Sequence, residues 1–323
     1  MQGYSKHFLK FAKPKREFSI LLEPKNVETM KHYTAILAIG IICLCHLVVA
    51  AVTIEDKESS ILEVYYQKIV EKDTTRLHTN TTINEMTLRA GPTSSMFYST
   101  KKLWADSLRT FDFNTSMQIT TARRESGDPT WWKPLGGDEW EYIFKNVPDG
   151  KVTATCLFDQ EQRFYEEEWE KPQWVILDSI KTIIGFDCIK AETNYRGRKW
   201  IAWFAPDIAI QEGPWKLCGL PGLILEASDS KKHYKFIATG IAYTNSRNVG
   251  RYFFCSLPPT RMSRDQYFQK RHRYNNKTVD DIFNQAIQLA ELNGSAPPRN
   301  INELNIDTTI VLRFDFEEVN YPH

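Results

Sequence analysis

Beyond residue 52 the apolar residues recur mostly at every second position, which is the period of a half-buried β-strand. Residues 61–70 (ILEVYYQKIV) are rich in β-branched and aromatic side chains. Three further pairs of such runs flank short turn-forming segments, and each pair predicts a β-hairpin. These pairs are 140–147 with 151–158, 188–195 with 199–205, and 223–227 with 234–243. Strands joined by turns rather than by helical crossovers indicate an antiparallel sheet.

The period changes to that of a helix in two stretches of the C-terminal half. Residues 263–273 are charged and weakly amphipathic, and residues 278–292 have the clearer pattern. In the second stretch Thr278 is placed to cap the helix, Asp281 fits a capping box, and Asn293-Gly294 ends it. Its apolar stripe comprises Ile282, Phe283, Ala286, Ile287, Leu289 and Ala290.

After a Pro297-Pro298 loop, residues 308–316 (TTIVLRFDF) read as a returning strand. The pattern as a whole predicts an α+β, mostly β fold: a curved antiparallel sheet, or sheets, of hairpins with one or two helices in the C-terminal half.

An apolar run near the start of the chain predicts export. Residues 33–52 (YTAILAIGIICLCHLVVAAV) follow Lys31 and end in small residues, as a secretory signal peptide does. Met30 directly precedes this positive flank. We therefore expect a signal peptide over 30–51, with residues 1–29 a non-native extension from a misassigned start, and one domain over 52–323. The alternative is a retained single-pass anchor, because about twenty apolar residues can span a bilayer.

Four cysteines follow the signal segment: Cys156, Cys188, Cys218 and Cys255. An even number in an exported chain predicts two disulfides, with three possible connectivities that spacing leaves open. Buried free thiols are the alternative. The sequence has no CxxC pair, so neither a redox motif nor a zinc knuckle is expected.

The charge of the chain argues against a role in nucleic-acid binding. There are 41 basic and 40 acidic side chains, and 34 basic against 37 acidic from residue 52 onward. Such a balance gives no positive field for phosphate backbones. Membrane contact is expected only through residues 33–52.

The most distinctive segment of the sequence is residues 203–226 (WFAPDIAIQEGPWKLCGLPGLILE), called the signature segment below. Its centre is the hexapeptide Gly219, Leu220, Pro221, Gly222, Leu223 and Ile224. This hexapeptide resembles the one for which the GLPGLI family of exported Bacteroidota proteins is named. The flanks are similar to that family as well, through Gly185-Phe186-Asp187-Cys188, Arg196-Gly197-Arg198 and Gly213-Pro214-Trp215.

The resemblance implies a GLPGLI-type domain over 52–323, located in the periplasm, on the outer-membrane surface or outside the cell. A similar segment occurs in the N-terminal bowl-like domain of a secreted flavobacterial peptide-N-glycosidase, where a separate catalytic domain follows. No such domain follows here, so we expect a non-catalytic binding or accessory module of the cell envelope, with a peptide or glycan as ligand. The implied partner is a TonB-dependent outer-membrane receptor or another envelope protein.

The hexapeptide itself reads as a structural corner. Leu220-Pro221-Gly222-Leu223 has Pro and Gly in the second and third positions, as a type II turn requires. A phosphate-binding loop does not fit, because no Lys-Ser/Thr follows the glycines and Pro221 lacks an N–H donor.

No catalytic or metal-binding motif is recognisable, and no cofactor is expected. The chain contains neither HExxH nor GxSxG. Glu166-Glu167-Glu168 reads as a solvated edge, because consecutive strand residues face opposite sides. Two alternatives stay open: a hydrolase that uses carboxylates near Asp207 and Glu226, and a purely structural envelope protein.

Aromatic residues supply the candidate ligand surface. Trp200 and Phe204 should share one strand face and Trp203 the other, so at least one ring is expected to be accessible. Exposed rings on a sheet stack on sugars or hold peptide side chains. The candidate ligand-binding residues are Trp200, Trp203, Phe204, Asp207 and Trp215.

Overall fold

The computed structural model describes residues 53–71, 80–128, 130–131, 134–137, 139–158, 161–254, 259–275, 279–292, 297–299 and 317–320. The chain divides into two units, and these residues all belong to the second, Ala50–His323. The predictions for the signal segment, Thr278, Cys255 and the strand at 308–316 lie outside the described residues. No helix of the described part is both long enough and apolar enough to cross a membrane.

The described residues form fourteen strands and four helices, which confirms the predicted mostly β fold. The strands are β1 (Thr53–Ser59), β2 (Leu62–Glu71), β3 (Thr81–Ala90), β4 (Ser95–Ser99), β5 (Tyr142–Lys145), β6 (Lys151–Phe158), β7 (Glu161–Glu168), β8 (Val175–Ile183), β9 (Phe186–Tyr195), β10 (Arg198–Ala205), β11 (Leu223–Asp229), β12 (Tyr234–Tyr243), β13 (Asn248–Phe253) and β14 (Thr260–Arg261). The helices are α1 (Thr100–Phe111), α2 (Phe113–Glu125), α3 (Arg264–Asn275) and α4 (Val279–Leu292).

Twelve strands form one sheet in the order β14-β7-β6-β5-β4-β3-β2-β12-β11-β10-β9-β8, and β1 pairs with β13 separately. All pairs are antiparallel except β14 with β7. The chain passes directly from β7 to β8, which lie ten strand positions apart. In a flat sheet that separation is about 48 Å, whereas the seven steps from Glu168 to Val175 reach at most about 25 Å. The sheet must therefore curl until its two ends approach each other.

Contacts across the gap agree with this closure. The Arg196 guanidinium, in the β9–β10 turn, lies 3.1 Å from the carboxylate of Glu167 on β7. The Tyr195 hydroxyl donates to the Glu170 carbonyl at 3.2 Å. The sheet consequently encloses a concave interior, whose face carries Tyr66 and Lys68 of β2, Tyr165 of β7 and Trp200 of β10.

The three predicted hairpins are confirmed, as β5–β6, β9–β10 and β11–β12. The turn between β9 and β10 has only two residues, Arg196 and Gly197, with φ of 52° and 81°. Positive φ at both positions matches the right-handed twist of the flanking strands.

Two helices, α1 and α2, were not predicted from the sequence. Helix α1 begins after Ser99, whose hydroxyl accepts a hydrogen bond from the Lys102 backbone N–H at 3.2 Å. Its buried residues are Lys102, Ala105 and Asp106. Because two of these three are charged, the apolar period that signals a helix is weak here.

The sheet buries apolar side chains on both faces. In the interior, Tyr66, Trp200 and Phe236 pack with the signature segment and with Tyr267 and Phe268 of α3. On the opposite face a smaller cluster holds Met96, Tyr98, Tyr142, Phe144, Val147 and Phe254.

Candidate functional site

The hexapeptide forms a tight corner, but not the predicted type II turn. The Gly222 N–H donates to the Leu220 carbonyl at 2.8 Å, which is a γ-turn centred on Pro221, and the Leu223 N–H donates instead to the Ile208 carbonyl at 3.1 Å. Proline suits this centre because its ring fixes φ close to the γ-turn value. Leu220, Leu223 and Ile224 are fully buried beside it.

Three of the five predicted ligand-binding side chains lie in the hydrophobic core. Trp200, Phe204 and Trp215 are at most 2% exposed. The Trp200 and Trp215 rings lie 5.5 Å apart between centroids. These two rings therefore pack against each other rather than against a ligand, because aromatic side chains offer the most apolar area for burial.

The other two, Trp203 and Asp207, do not form a shared site with them. Trp203 lies on the opposite face of β10, as predicted, and the Lys181 ammonium sits 4.4 Å above its ring. Asp207 is exposed. Glu226, the proposed hydrolytic partner of Asp207, is ion-paired to Lys181 at 2.8 Å and Lys235 at 3.4 Å.

The predicted pair of disulfides is not present, because Cys156, Cys188 and Cys218 are free and buried. Burial raises the pKa of Cys156 to about 12, and those of Cys188 and Cys218 to about 11.

The most unusual feature of the interior is a set of two buried lysines and three half-buried arginines, called the ionic cradle below. Its members come from four parts of the chain: Lys68 (β2), Arg196 (the β9–β10 turn), Lys216 (the signature segment), and Arg264 and Arg271 (α3). The Lys68 and Lys216 side chains are 5% and 1% exposed. Buried charges require partners, because desolvation of an unpaired ion costs several kcal/mol.

A short stretch of chain, Glu317–Asn320, supplies two of these partners and is called the docked segment below. Glu317 and Glu318 are 2% and 1% exposed. The Val319 N–H donates to the Arg196 carbonyl at 3.1 Å, so the backbone of the segment is held as well. The Arg264 guanidinium donates to the Asn320 backbone carbonyl at 3.1 Å and to its Oδ1 at 2.7 Å.

The Glu318 carboxylate is paired with two cations of the cradle. It accepts hydrogen bonds from the Lys216 ammonium and from Arg264, whose Nε lies 3.1 Å from Oε2. Burial alone would raise the pKa of Glu318, but the adjacent Lys216 and Arg264 outweigh it and hold the pKa below its ordinary value.

The Glu317 carboxylate lies in a different environment. It accepts from Lys68 at 2.5 Å and lies 3.5 Å from Arg271. Lys68 also contacts Glu139 at 2.8 Å, and Arg271 contacts Glu141 at 3.2 Å. Burial raises the pKa of Glu141, Arg271 counteracts it, and Glu317 adds to the rise. Lys68 and Arg271 hold the pKa of Glu317 well below its ordinary value despite burial.

The sequence interpretation of Glu166-Glu167-Glu168 missed one member of this cluster. Consecutive residues do face opposite sides, yet Glu167 faces the interior and contacts Lys216 at 2.6 Å. Lys216 itself carried a usable signal, because a lone lysine between Trp215 and Leu217 in an apolar run indicates a buried ion pair. Within the described ranges, no group of three or more His, Cys, Asp or Glu is arranged to hold a metal ion.

Comparisons with known proteins find one family model and several solved structures that are similar to parts of the chain. Residues 190–226 match the model of a family described as a protein of unknown function (Porph_ging). No curated protein matches the chain. A solved structure of PNGF-II in space group P21 is similar at 15% identity and a TM-score of 0.43, over 66% of this chain and 33% of that one. A second, in space group C2, is similar at 14% and 0.43, over 68% and 35%. The chain thus spans about a third of the length of these structures.

Proposed function

We propose that the protein is an exported, non-catalytic binding module that holds an extended acidic peptide in its concave interior. The observation that carries this proposal is the docked segment. Residues 317–320 occupy the ionic cradle through two carboxylates, a backbone N–H and an asparagine side chain. The interior therefore has the contacts that recognition of a peptide needs.

The type of contact supports a peptide rather than a simple anion. Arginine clusters bind acidic motifs through charge-assisted hydrogen bonds, and main-chain bonds fix an extended chain in register. Both kinds of bond are made to the docked segment, by Arg264 to side chain and backbone and by the Arg196 carbonyl to Val319.

The pairing of the interior carboxylates supports binding rather than catalysis. Glu139, Glu141 and Glu167 each lie within 3.2 Å of a cation of the cradle. A general acid or base must exchange its proton with a substrate, and a carboxylate held by a buried cation is poorly suited to that task.

Export and an envelope partner rest on the sequence alone. The apolar residues 33–52 support secretion, and the GLPGLI resemblance supports a place beside an outer-membrane receptor.

The test is peptide binding by the mature chain. A fluorescein-labelled peptide of residues 314–322 (FDFEEVNYP) is titrated with wild-type protein and with E318K, in which the reversed charge weakens the hold of the chain's own segment. We expect saturable anisotropy, tighter for E318K, and competition by unlabelled peptide. The K216M variant, which lacks the central cation, is the control and should bind at least ~10-fold more weakly.

Two outcomes would contradict the proposal. Absence of saturable binding to either protein would indicate that the docked segment is only a structural part of the fold. Cleavage of the peptide, followed by mass spectrometry over the same incubation, would favour a hydrolase.

A further inference from the structure

The Glu317 and Glu318 carboxylates are surrounded by charged side chains whose net charge differs. These surroundings are called the Glu317 seat and the Glu318 seat below. Resting on the proposed function, we infer that the cradle selects its ligand by the carboxylate at the Glu318 position and tolerates a neutral side chain at the Glu317 position. The ligand class is then a peptide with one essential acidic residue, followed by an apolar residue and by a residue with a side-chain carbonyl.

The Glu318 seat has an excess of positive charge until a carboxylate arrives. Two described cations, Lys216 and Arg264, pair with Glu318, and a third, Arg196, lies beside them and pairs with Glu167. Of the carboxylates already there, Glu167 lies 2.6 Å from Lys216, 3.1 Å from Arg196 and 3.4 Å from Arg264, and the largely exposed Glu170 lies 3.9 Å from Arg196. Even with Glu170 counted, the described side chains leave one positive charge that Glu318 neutralises.

The Tyr165 hydroxyl does not change this count. It accepts a hydrogen bond from the Lys216 ammonium at 2.7 Å, and burial raises its pKa well above the ordinary value, so it remains neutral. A neutral amide in place of Glu318 would leave these cations with one positive charge in excess, next to the buried Lys216 ammonium, and a buried excess charge is strongly destabilising.

The Glu317 seat is already balanced without its glutamate. The two described cations, Lys68 and Arg271, face two carboxylates, Glu139 and Glu141. Arg198 lies nearby but has its own partner, Asp229, at 3.0 Å. Glu317 therefore brings a third carboxylate to two cations. Lys68 and Arg271 still lower its pKa, but a neutral residue in its place leaves neither cation without a carboxylate.

The two residues that follow Glu318 in the docked segment also make specific contacts. A Cβ added to Gly197 would lie 2.7 Å from Val319 Cγ2 and 3.2 Å from the Asn320 nitrogen, so the glycine provides the space in which an apolar side chain lies. Asn320 Oδ1 accepts from the Arg264 guanidinium at 2.7 Å. Arg264 thus contacts both the essential carboxylate and the carbonyl two residues later.

The experiment compares two peptides of equal net charge. FDFQEVNYP and FDFEQVNYP, which carry E317Q and E318Q, are titrated against the same protein as the parent FDFEEVNYP. We expect E318Q to weaken binding at least ~10-fold, since it removes charged hydrogen bonds to two cations. E317Q should change affinity by less than ~3-fold, because Lys68 and Arg271 keep a carboxylate each, Glu139 and Glu141, when the Glu317 charge is removed. Equal losses, or the reverse order, would overturn the inference.

The same comparison within the chain does not depend on binding in trans. In the full chain, the E318Q variant should unfold at a clearly lower urea concentration than E317Q. If neither peptide nor parent binds but this order holds, the selectivity stands and the proposed peptide-binding function fails. If E317Q costs as much as E318Q in the chain, the inference fails whatever the peptides do.

Discussion

At Gly222 a single added methyl group is expected to destabilise the fold. A Cβ there would lie 2.3 Å from the Ala205 carbonyl oxygen, at a φ of +157°. We expect Gly222→Ala to lower the free energy of unfolding by at least about 2 kcal/mol, because backbone cannot yield as a flexible side chain can. Urea denaturation measures this.

Gly150 provides the matched control. It also has a positive φ, +72°, but nothing lies within 4 Å of the position that an added methyl group would take. Gly150→Ala should cost only about 1 kcal/mol, the strain of the backbone conformation alone. Similar losses in both variants would show that the close approach to Ala205 is unimportant.

The buried thiols give a second prediction at this scale. With pKa values of about 12, 11 and 11, Cys156, Cys188 and Cys218 carry almost no thiolate at pH 8. We expect iodoacetamide to leave all three unmodified in the native protein and to alkylate all three in 6 M urea, as read by peptide mass spectrometry. If the cysteines stay unmodified in urea as well and are alkylated only after reduction, they form disulfides.

Individual residues show why only part of the candidate site could be predicted from the sequence. Proline and glycine at 221 and 222 predicted a corner, since their backbone preferences are local. The type of turn depends on the close approach of the Ala205 backbone and on the hydrogen bond to the Ile208 carbonyl. The spacing of residues in the sequence does not reveal either contact. Glu167 and Lys216 are 49 residues apart in the chain, and only closure of the sheet brings their charges together.

At the scale of elements, the signature segment is tied to β5 by one buried lysine. The fully buried Lys145 ammonium lies 2.5 Å from the Glu212 carboxylate and donates to the Gly213 carbonyl at 2.9 Å. We expect Lys145→Met to lower the free energy of unfolding by about 3–5 kcal/mol, because Glu212 would be left buried without its cation.

The double variant Lys145→Met/Glu212→Gln is the control for that prediction. Removing both charges should recover at least half of the loss, measured by urea denaturation as a double-mutant cycle. No recovery would mean that the lysine acts through packing or its carbonyl contacts rather than through the ion pair.

Strands could be predicted from the sequence where a turn with characteristic residues lies between them. Gly197 and the Pro148-Asp149-Gly150 segment marked two hairpins because they meet the dihedral demands of tight turns. Helix α1 gave no such signal, because its buried Lys102 and Asp106 interrupt the apolar period. Sheet order was out of reach, since pairing of β2 with β12 joins residues far apart in the chain.

For the whole molecule, the docked glutamates predict sensitivity to acid. The pKa values of Glu317 and Glu318 are lowered in the folded chain, so their stabilisation is complete above the unfolded value of about 4.5 and declines as pH falls below it. Glu141 has a raised pKa and acts in the opposite direction, since taking up a proton relieves its burial. The glutamates of the docked segment should dominate, because there are two of them.

Urea midpoints at pH 7, 5, 4 and 3.5 check this expectation. The wild-type midpoint should fall steeply below about pH 5, and the E317Q/E318Q chain, though weaker at pH 7, should fall less. Parallel pH profiles for the two proteins would contradict it.

The direct passage from β7 to β8 has a consequence for how the chain acquires its shape. Strands β2 to β7 form one meander and β8 to β12 a second, each from neighbours in sequence, and the β2–β12 ladder is the seam that joins them. During synthesis the first meander can assemble as it emerges, but the seam must wait for residue 243, and until then β2 has an open edge. Such an edge invites wrong pairing, so production of this protein should benefit from slow translation or a chaperone that shields that strand.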